Sequence, residues 1–396
     1  MEVLPLFNFW VKQENYYLAS DMSKRIVIAP DSFKGSLAAR EVGEALREGI
    51  LAVKPDCEVV VVPLADGGEG TAEIISRACN GRSIEVVVSN PLRYPIAARY
   101  HIINNTTAVM DVASAAGLTL LRPEERNPLA TSSQGVGEMM IDALHRGLRN
   151  YIIGIGGSAT NDCAVGLLAA LGYRFLDSEG KELEPKGGNL HRIAKIDDHL
   201  TDSRLSECKI TLAVDVRAPF CGAQGAAHIF APQKGATPEM VDLLDKGMAH
   251  FAEVVEQHCG VDVTTMEGAG AAGGIAGVLC ALLGATIRSG AEVVMECVDF
   301  DGALAGCDLV ITGEGRIDRQ TLMGKVPFEV LLRAKRYGLP AIAVGGSVEM
   351  CDLLAECGFA HIIASTPPNM PLGVAITPAI AKENLRIAGA KISKTI

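Results

Sequence analysis

Asp66-Gly67-Gly68-Glu69-Gly70 packs two carboxylates and three glycines into five consecutive positions. Like charges crowded into so tight a turn resist ionising together. A hard cation with oxygen ligands relieves that repulsion. Three other stretches share the design: Asp31-Ser32-Phe33-Lys34-Gly35-Ser36, Gly156-Gly157-Ser158-Ala159-Thr160-Asn161-Asp162, and Thr312-Gly313-Glu314-Gly315-Arg316-Ile317-Asp318. Glycines let backbone N–H groups approach a phosphate, and lysine, arginine and hydroxyl side chains add donors. Acids beside such donors suit a phosphate that arrives with a metal ion. A bare dinucleotide pyrophosphate would be repelled.

Each stretch follows a short apolar run, at residues 26–29, 59–64, 152–155 and 309–311. Runs of that length read as buried strands. In an open α/β sheet, ligands bind past the carboxyl ends of the strands. The first third of the chain alternates strand and helix, with strands expected at 25–29 and 57–64 and helices at 37–51 and 71–79. Short β runs at 84–88, 97–103 and 107–112, joined by Asn-Pro and Asn-Asn turns, predict antiparallel pairing. A βαβ unit follows, then a strand at 210–214 ending at Asp215 and a helix at 238–258. Strands at 309–311, 341–344 and 361–363 return to the parallel rhythm. The fold class expected is α/β with two α/β domains. Residues 23–83 plus 288–396 would form a discontinuous flavodoxin-like parallel-sheet domain, and 84–287 a mixed α/β domain inserted into it. The active site would lie in the cleft between them.

The bulk properties exclude several functions. A chain of 396 residues exceeds one ordinary core. With a net charge of −11 and no long basic block, nucleic acid is not expected as a partner. The 11 cysteines are scattered without metal-ligand spacing, which fits reduced thiols in a cytoplasm. Residues 1–22 have no basic opening or cleavage site and read as an extension, disordered or preceding the true start at Met22. Residues 268–287 carry no charge but hold many glycines, so a helix buried between layers is expected there rather than a membrane span. Gly268-Ala269-Gly270-Ala271-Ala272-Gly273 fits the dinucleotide fingerprint without the strand it needs. The 154–159 turn has the strand, which leaves a nicotinamide-dependent oxidoreductase acting on a small hydroxy acid as an alternative. A non-catalytic nucleotide or metabolite sensor is another. No Walker A motif is present, since Gly324-Lys325 is followed by Val326.

Taken together, seven ordered stretches resemble the type 1 glycerate kinases. They are residues 28–36, 65–70, 124–129 (Glu-Glu-Arg-Asn-Pro-Leu), 154–162, 232–238 (Pro-Gln-Lys-Gly-Ala-Thr-Pro), 268–274 and 311–318. The resemblance runs from about residue 24 to about residue 347. It implies ATP-dependent phosphorylation of D-glycerate, usually to 2-phosphoglycerate, by a two-domain enzyme with an interrupted flavodoxin-like domain. Two departures stand out. Similar sequences tend to carry Asn where this chain has Ala218, and Gly-Gly where it has Cys163-Ala164.

Phosphoryl transfer needs charge neutralisation and positioning more than covalent chemistry, so roles follow residue type. Lys34 with the Gly35 and Ser36 amides, and Gly156, Gly157, Ser158, Thr160 and Asn161, are expected to hold phosphate oxygens of ATP. Asp66 and Glu69, with Asp162 or Glu314, are expected to hold Mg²⁺. Arg316 or Lys234, with Asp318 nearby, would clamp the carboxylate of glycerate. For the general base, Asp215 ranks ahead of Asp31. A homodimer is left open, and no membrane partner is expected.

Overall fold

The computed structural model describes residues 24–394. The expectation for residues 1–22 lies outside the described residues. Among the described residues thirteen strands appear in chain order: β1 (Arg25–Pro30), β2 (Glu58–Val61), β3 (Arg82–Ser89), β4 (Pro95–Ile103), β5 (Thr107–Asp111), β6 (Asn150–Gly154), β7 (Arg174–Leu176), β8 (Lys195–Asp197), β9 (Lys209–Val214), β10 (Thr286–Ser289), β11 (Leu309–Ile317), β12 (Ala341–Val348) and β13 (His361–Ala364). They build a five-stranded sheet ordered β13-β12-β11-β1-β2 and a six-stranded sheet ordered β10-β9-β6-β5-β4-β3, with β7 and β8 forming a separate pair.

The five-stranded sheet is parallel throughout. Its strands are nearly continuous apolar runs because both faces are covered. On one face Ile26, Ile28 and Ile311 pack with Val42, Leu46, Ile50 and Leu385. Those last four come from the helices Ala39–Val53 and Pro378–Ile392. The two helices approach closely at glycine: a Cβ on Gly49 would sit 1.9 Å from the Arg386 carbonyl oxygen. On the other face Val27, Ala29 and Val310 join a core that also takes in Ile103 and Val109 from β4 and β5. One apolar layer therefore ties the two sheets together.

The six-stranded sheet is mixed. The pairs β3–β4 and β4–β5 are antiparallel, as the Asn-Pro and Asn-Asn turns predict, while β5–β6, β6–β9 and β9–β10 are parallel. Its own core gathers Tyr100, Met139, Tyr151, Phe220 and Phe251. Among the described residues no helix is long and apolar enough to cross a membrane.

Two elements differ from expectation. Residues 268–287 do not form a single buried helix: the helix Ala271–Leu283 ends at Gly284, whose φ of 63° is left-handed, and β10 begins at Thr286. That helix also starts irregularly, with Ala272, Gly273 and Gly274 all at positive φ. The stretch 312–318 is not a loop. β11 continues to Ile317, because β12 runs alongside and pairs Glu314 with Gly345 and Arg316 with Ser347.

Cys163 and Ala164 have φ of 50° and 61°. That left-handed conformation is one that glycine adopts without steric cost, which gives the Gly-Gly of similar sequences a physical reason. At Ala218 the backbone carbonyl accepts the Gly270 N–H at 3.1 Å, so the loop after Asp215 is fixed through main chain.

Candidate active site

The carboxyl end of β1 turns at Asp31 into a compact loop, closed by Phe33 N–H donating to the Leu37 carbonyl at 2.9 Å. Lys34 projects from it and donates to Asp66 Oδ2 at 3.1 Å. Asp66 follows the apolar segment after β2, and its Oδ1 accepts the Gly68 N–H at 3.0 Å. Asp215, one residue beyond β9, comes from the other sheet and feels the charges of Asp66 and Lys34.

Three acids therefore converge on one ammonium, and Asp31 and Asp66 are nearly inaccessible. Burial, reinforced by the charge of Asp66, pushes the Asp31 carboxyl up to about 7. The same two causes in the same order push Asp215 up to about 6. The Lys34 side chain is largely exposed on the cleft; partial desolvation there works against its charge, but Asp66, Asp31 and Asp215 outweigh it and hold the ammonium well above the ordinary lysine value.

Lys34 and Asp215 line a cleft of about 630 Å³ together with Glu69, the Gly156-Gly157-Ser158 turn and Lys234. The turn can sit there only because it is glycine: a Cβ on Gly156 would meet Gly68 Cα at 2.6 Å. Lys234 is 2% exposed. Its Nζ donates to Ser158 Oγ at 3.0 Å and to the Thr160 carbonyl at 2.6 Å. Burial depresses it to about 8, against the pull of Asp162. A buried, readily deprotonated lysine with a hydroxyl beside it, opening on a cleft, is a ready receptor for one small anion.

Several expected residues are placed elsewhere. Asp162 is fully buried, and its Oδ2 accepts from Ser133 N–H at 2.7 Å, Ser133 Oγ at 2.8 Å and Gly166 N–H at 3.3 Å. Through that oxygen it organises chain turns behind the cleft, while its Oδ1 is buried without a partner. Thr160 and Asn161 are likewise fully buried, Asn161 donating to Met248 Sδ at 3.1 Å. Glu314 accepts from Thr321 Oγ1 at 2.6 Å and Lys325 Nζ at 3.2 Å, and lines a separate cavity. Arg316 is largely exposed and pairs with Asp318 at 3.2 Å and with Glu349. Asp318 accepts the Gln320 N–H at 2.8 Å, capping a short helix. The Ser36 N–H already donates to the Phe33 carbonyl at 2.8 Å, so the free group there is its hydroxyl, which is buried without a partner. Among the described residues no three His, Cys, Asp or Glu side chains are arranged as a metal cage.

Asp111 is a residue that the sequence reading missed. It ends β5, is 5% exposed, and its two carboxyl oxygens accept the Gly70 N–H at 2.9 Å and the Ala72 N–H at 3.1 Å. Burial, opposed by those two hydrogen bonds, pushes it up to about 7. It anchors the Asp66–Gly70 turn to the second sheet. The available signal was an acid at the end of an apolar β run, the same one that singled out Asp215.

The model of the glycerate kinase family matches residues 26–396. The chain belongs to the glycerate kinase family. Glycerate kinase of Bacillus subtilis (strain 168) is 45% identical over 350 residues, covering 88% of this chain and 92% of that protein. Glycerate 2-kinase of Escherichia coli (strain K12) is 45% identical over 325 residues, covering 82% and 85%. A crystal structure assigned to glycerate kinase 2 of Salmonella typhimurium LT2 superimposes with a TM-score of 0.81 at 42% identity, covering 94% of this chain and 98% of that one. Membership in a glycerate kinase family makes this chain a kinase with a small-molecule substrate, and the α/β fold agrees with that of the Salmonella structure.

Proposed function

We propose that this member of the glycerate kinase family transfers the γ-phosphoryl group of ATP to the 2-hydroxyl of D-glycerate, giving 2-phosphoglycerate and ADP. The observation that carries the proposal is the convergence of Asp31, Asp66 and Asp215 on Lys34, which with Asp215 lines a cleft shared with Glu69, Ser158 and Lys234. The glycerate 2-kinase relative supports the choice of hydroxyl.

The donor set fits Mg²⁺. Three acids, Asp31, Asp66 and Asp215, crowd around the single ammonium of Lys34, and the carboxylates raise one another's proton affinity beyond what burial alone does, a repulsion that a divalent cation would relieve. Mg²⁺ is commonly held by one or two carboxylates together with substrate phosphates, so a complete protein cage is not required. Asp66 and Glu69 would hold it, and when bound it supplies charge neutralisation on the phosphates.

The remaining roles belong to the chain's own side chains. Lys34 and the Ser36 hydroxyl donate to phosphate oxygens, and the Gly156-Gly157-Ser158 turn allows their close approach. Lys234 with Ser158 Oγ clamps the glycerate carboxylate; Arg316 is released from that role because it lies outside the cleft. Asp215 takes the proton of the attacking hydroxyl, and a value of about 6 keeps it ionised yet basic near neutrality. Asp31 does not line the cleft and ranks behind it. The test is ADP release by the purified protein, which should require D-glycerate and Mg²⁺ together. ADP formation that ignores glycerate would defeat the proposal.

A further inference from the structure

We propose that the adenosine end of the nucleotide binds in a second cavity, at the switch point of the five-stranded sheet, with its triphosphate crossing the 32–36 loop into the catalytic cleft. The inference rests on the reading of ATP as phosphoryl donor.

The order β13-β12-β11-β1-β2 reverses direction between β1 and β11. Connections from neighbouring strands leave toward opposite sides at such a point, and a crevice opens past the carboxyl ends. A cavity of about 540 Å³ lies there, walled by Asp31 after β1, Glu314 of β11 and Gly346 of β12. That volume falls within the range of small-molecule sites.

The cavity and the catalytic cleft lie on either side of the 32–36 loop. Ser32, Phe33, Lys34 and Ser36 line both, so a ligand that crosses this loop would place its phosphates over Lys34. The crossing point is open: a Cβ on Gly35, at φ +76°, would meet nothing within 4 Å. The unpartnered Ser36 hydroxyl sits at the same place.

The far end has the character of a purine pocket. Met370, Leu372, Ala375 and Ile376 supply apolar surface. Leu372 is 75% exposed and Ile376 40%, apolar area that a flat aromatic base would cover. Polar groups capable of reading a base edge stand among them. Asn384, 6% exposed, donates through its amide nitrogen to Met370 Sδ at 3.7 Å, a weak contact that a ring nitrogen would better satisfy. Ser365 and Thr366 lie on the same wall. The acid of this cavity, Glu314, is balanced by Lys325 and Thr321 and does not oppose an anionic ligand.

Photolabelling of the wild-type protein with 8-azido-ATP, followed by peptide mapping, tests the placement. The label should fall within residues 365–384 and be displaced by ATP. Titration calorimetry then compares variants. Ala375→Trp, which fills the cavity, should weaken ATP binding tenfold or more while tripolyphosphate binds as before; Leu372→Ala, at an exposed position, should weaken ATP several-fold. Label in residues 215–234 or 268–274, or ATP affinity unchanged in both variants, would overturn the subsite. In that event, glycerate-dependent ATP turnover by the wild type leaves the functional reading standing. A wild type that neither binds nor uses ATP overturns both.

Discussion

Replacing Lys234 with methionine separates its work on substrate from its burden on the fold. The lysine is almost fully enclosed, and its affinity for a proton falls from 10.5 to about 8. At 1.36 kcal/mol per unit, keeping it charged costs the folded state roughly 3 kcal/mol. The sign follows from the depressed value: the cost is full below pH 8, declines between pH 8 and 10.5, and vanishes above. Lys234→Met removes that cost but leaves the Thr160 carbonyl, which accepts from Nζ at 2.6 Å, without its donor. Such a loss is worth about 1–3 kcal/mol. The net is a variant between equal in stability and about 2 kcal/mol more stable at pH 7. It should also lack the wild type's gain in stability from pH 8 to 10. Binding moves the other way. A charge-assisted hydrogen bond to the glycerate carboxylate is worth about 1.5–3 kcal/mol, so KM for glycerate should rise about ten- to hundredfold. Urea denaturation across pH and steady-state kinetics read the two effects. A variant with unchanged KM and an unchanged stability–pH profile would refute the reasoning.

Asp215→Asn should lower kcat by about 10²–10⁴, and the fall in wild-type kcat/KM below about pH 6 should disappear with it; a variant that turns over normally removes Asp215 as base. Asp31 binds its proton more tightly folded, at about 7, than the ordinary 3.8, so it costs stability above pH 7 and recovers it as pH falls toward 4. Asp31→Asn should therefore be more stable than wild type at pH 8, with the advantage shrinking at pH 4, as denaturation curves at the two pH values will report. Gly156→Ala puts a Cβ 2.6 Å from Gly68 Cα, which must spread the two turns; ATP-dependent activity should drop at least tenfold while the far-ultraviolet circular dichroism is retained.

Much of the architecture was legible because it is written in local periodicity. The runs ending at Pro30, Gly154 and Val214 are short and apolar, and each forms a strand whose carboxyl end feeds the site. Asp31, Lys34, Asp66 and Asp215 could be selected by residue type at those ends. What local pattern could not carry was partnership across the chain. β11 extends through Gly313 and Gly315 because β12 pairs with it, a contact invisible in either segment. Asp162 and Asp66 look alike in sequence, each an acid near glycines. Asp162 is surrounded by Ser133 and Gly166 N–H groups, whereas Asp66 faces Lys34. Arg316 reads as a clamp by residue type, but the sequence does not show that it lines another cavity, paired with Asp318 and Glu349. Asp111 was passed over because its partners, Gly70 and Ala72, lie some forty residues away.

The central claim, transfer of phosphoryl from ATP to the 2-hydroxyl of glycerate, is met most directly by ³¹P NMR of the product formed from D-glycerate and Mg-ATP. A new phosphate monoester resonance should coincide with added 2-phosphoglycerate and grow as the γ-phosphate signal declines. A product coinciding with 3-phosphoglycerate would contradict the regiochemistry, and a spectrum with no new ester would contradict the account as a whole.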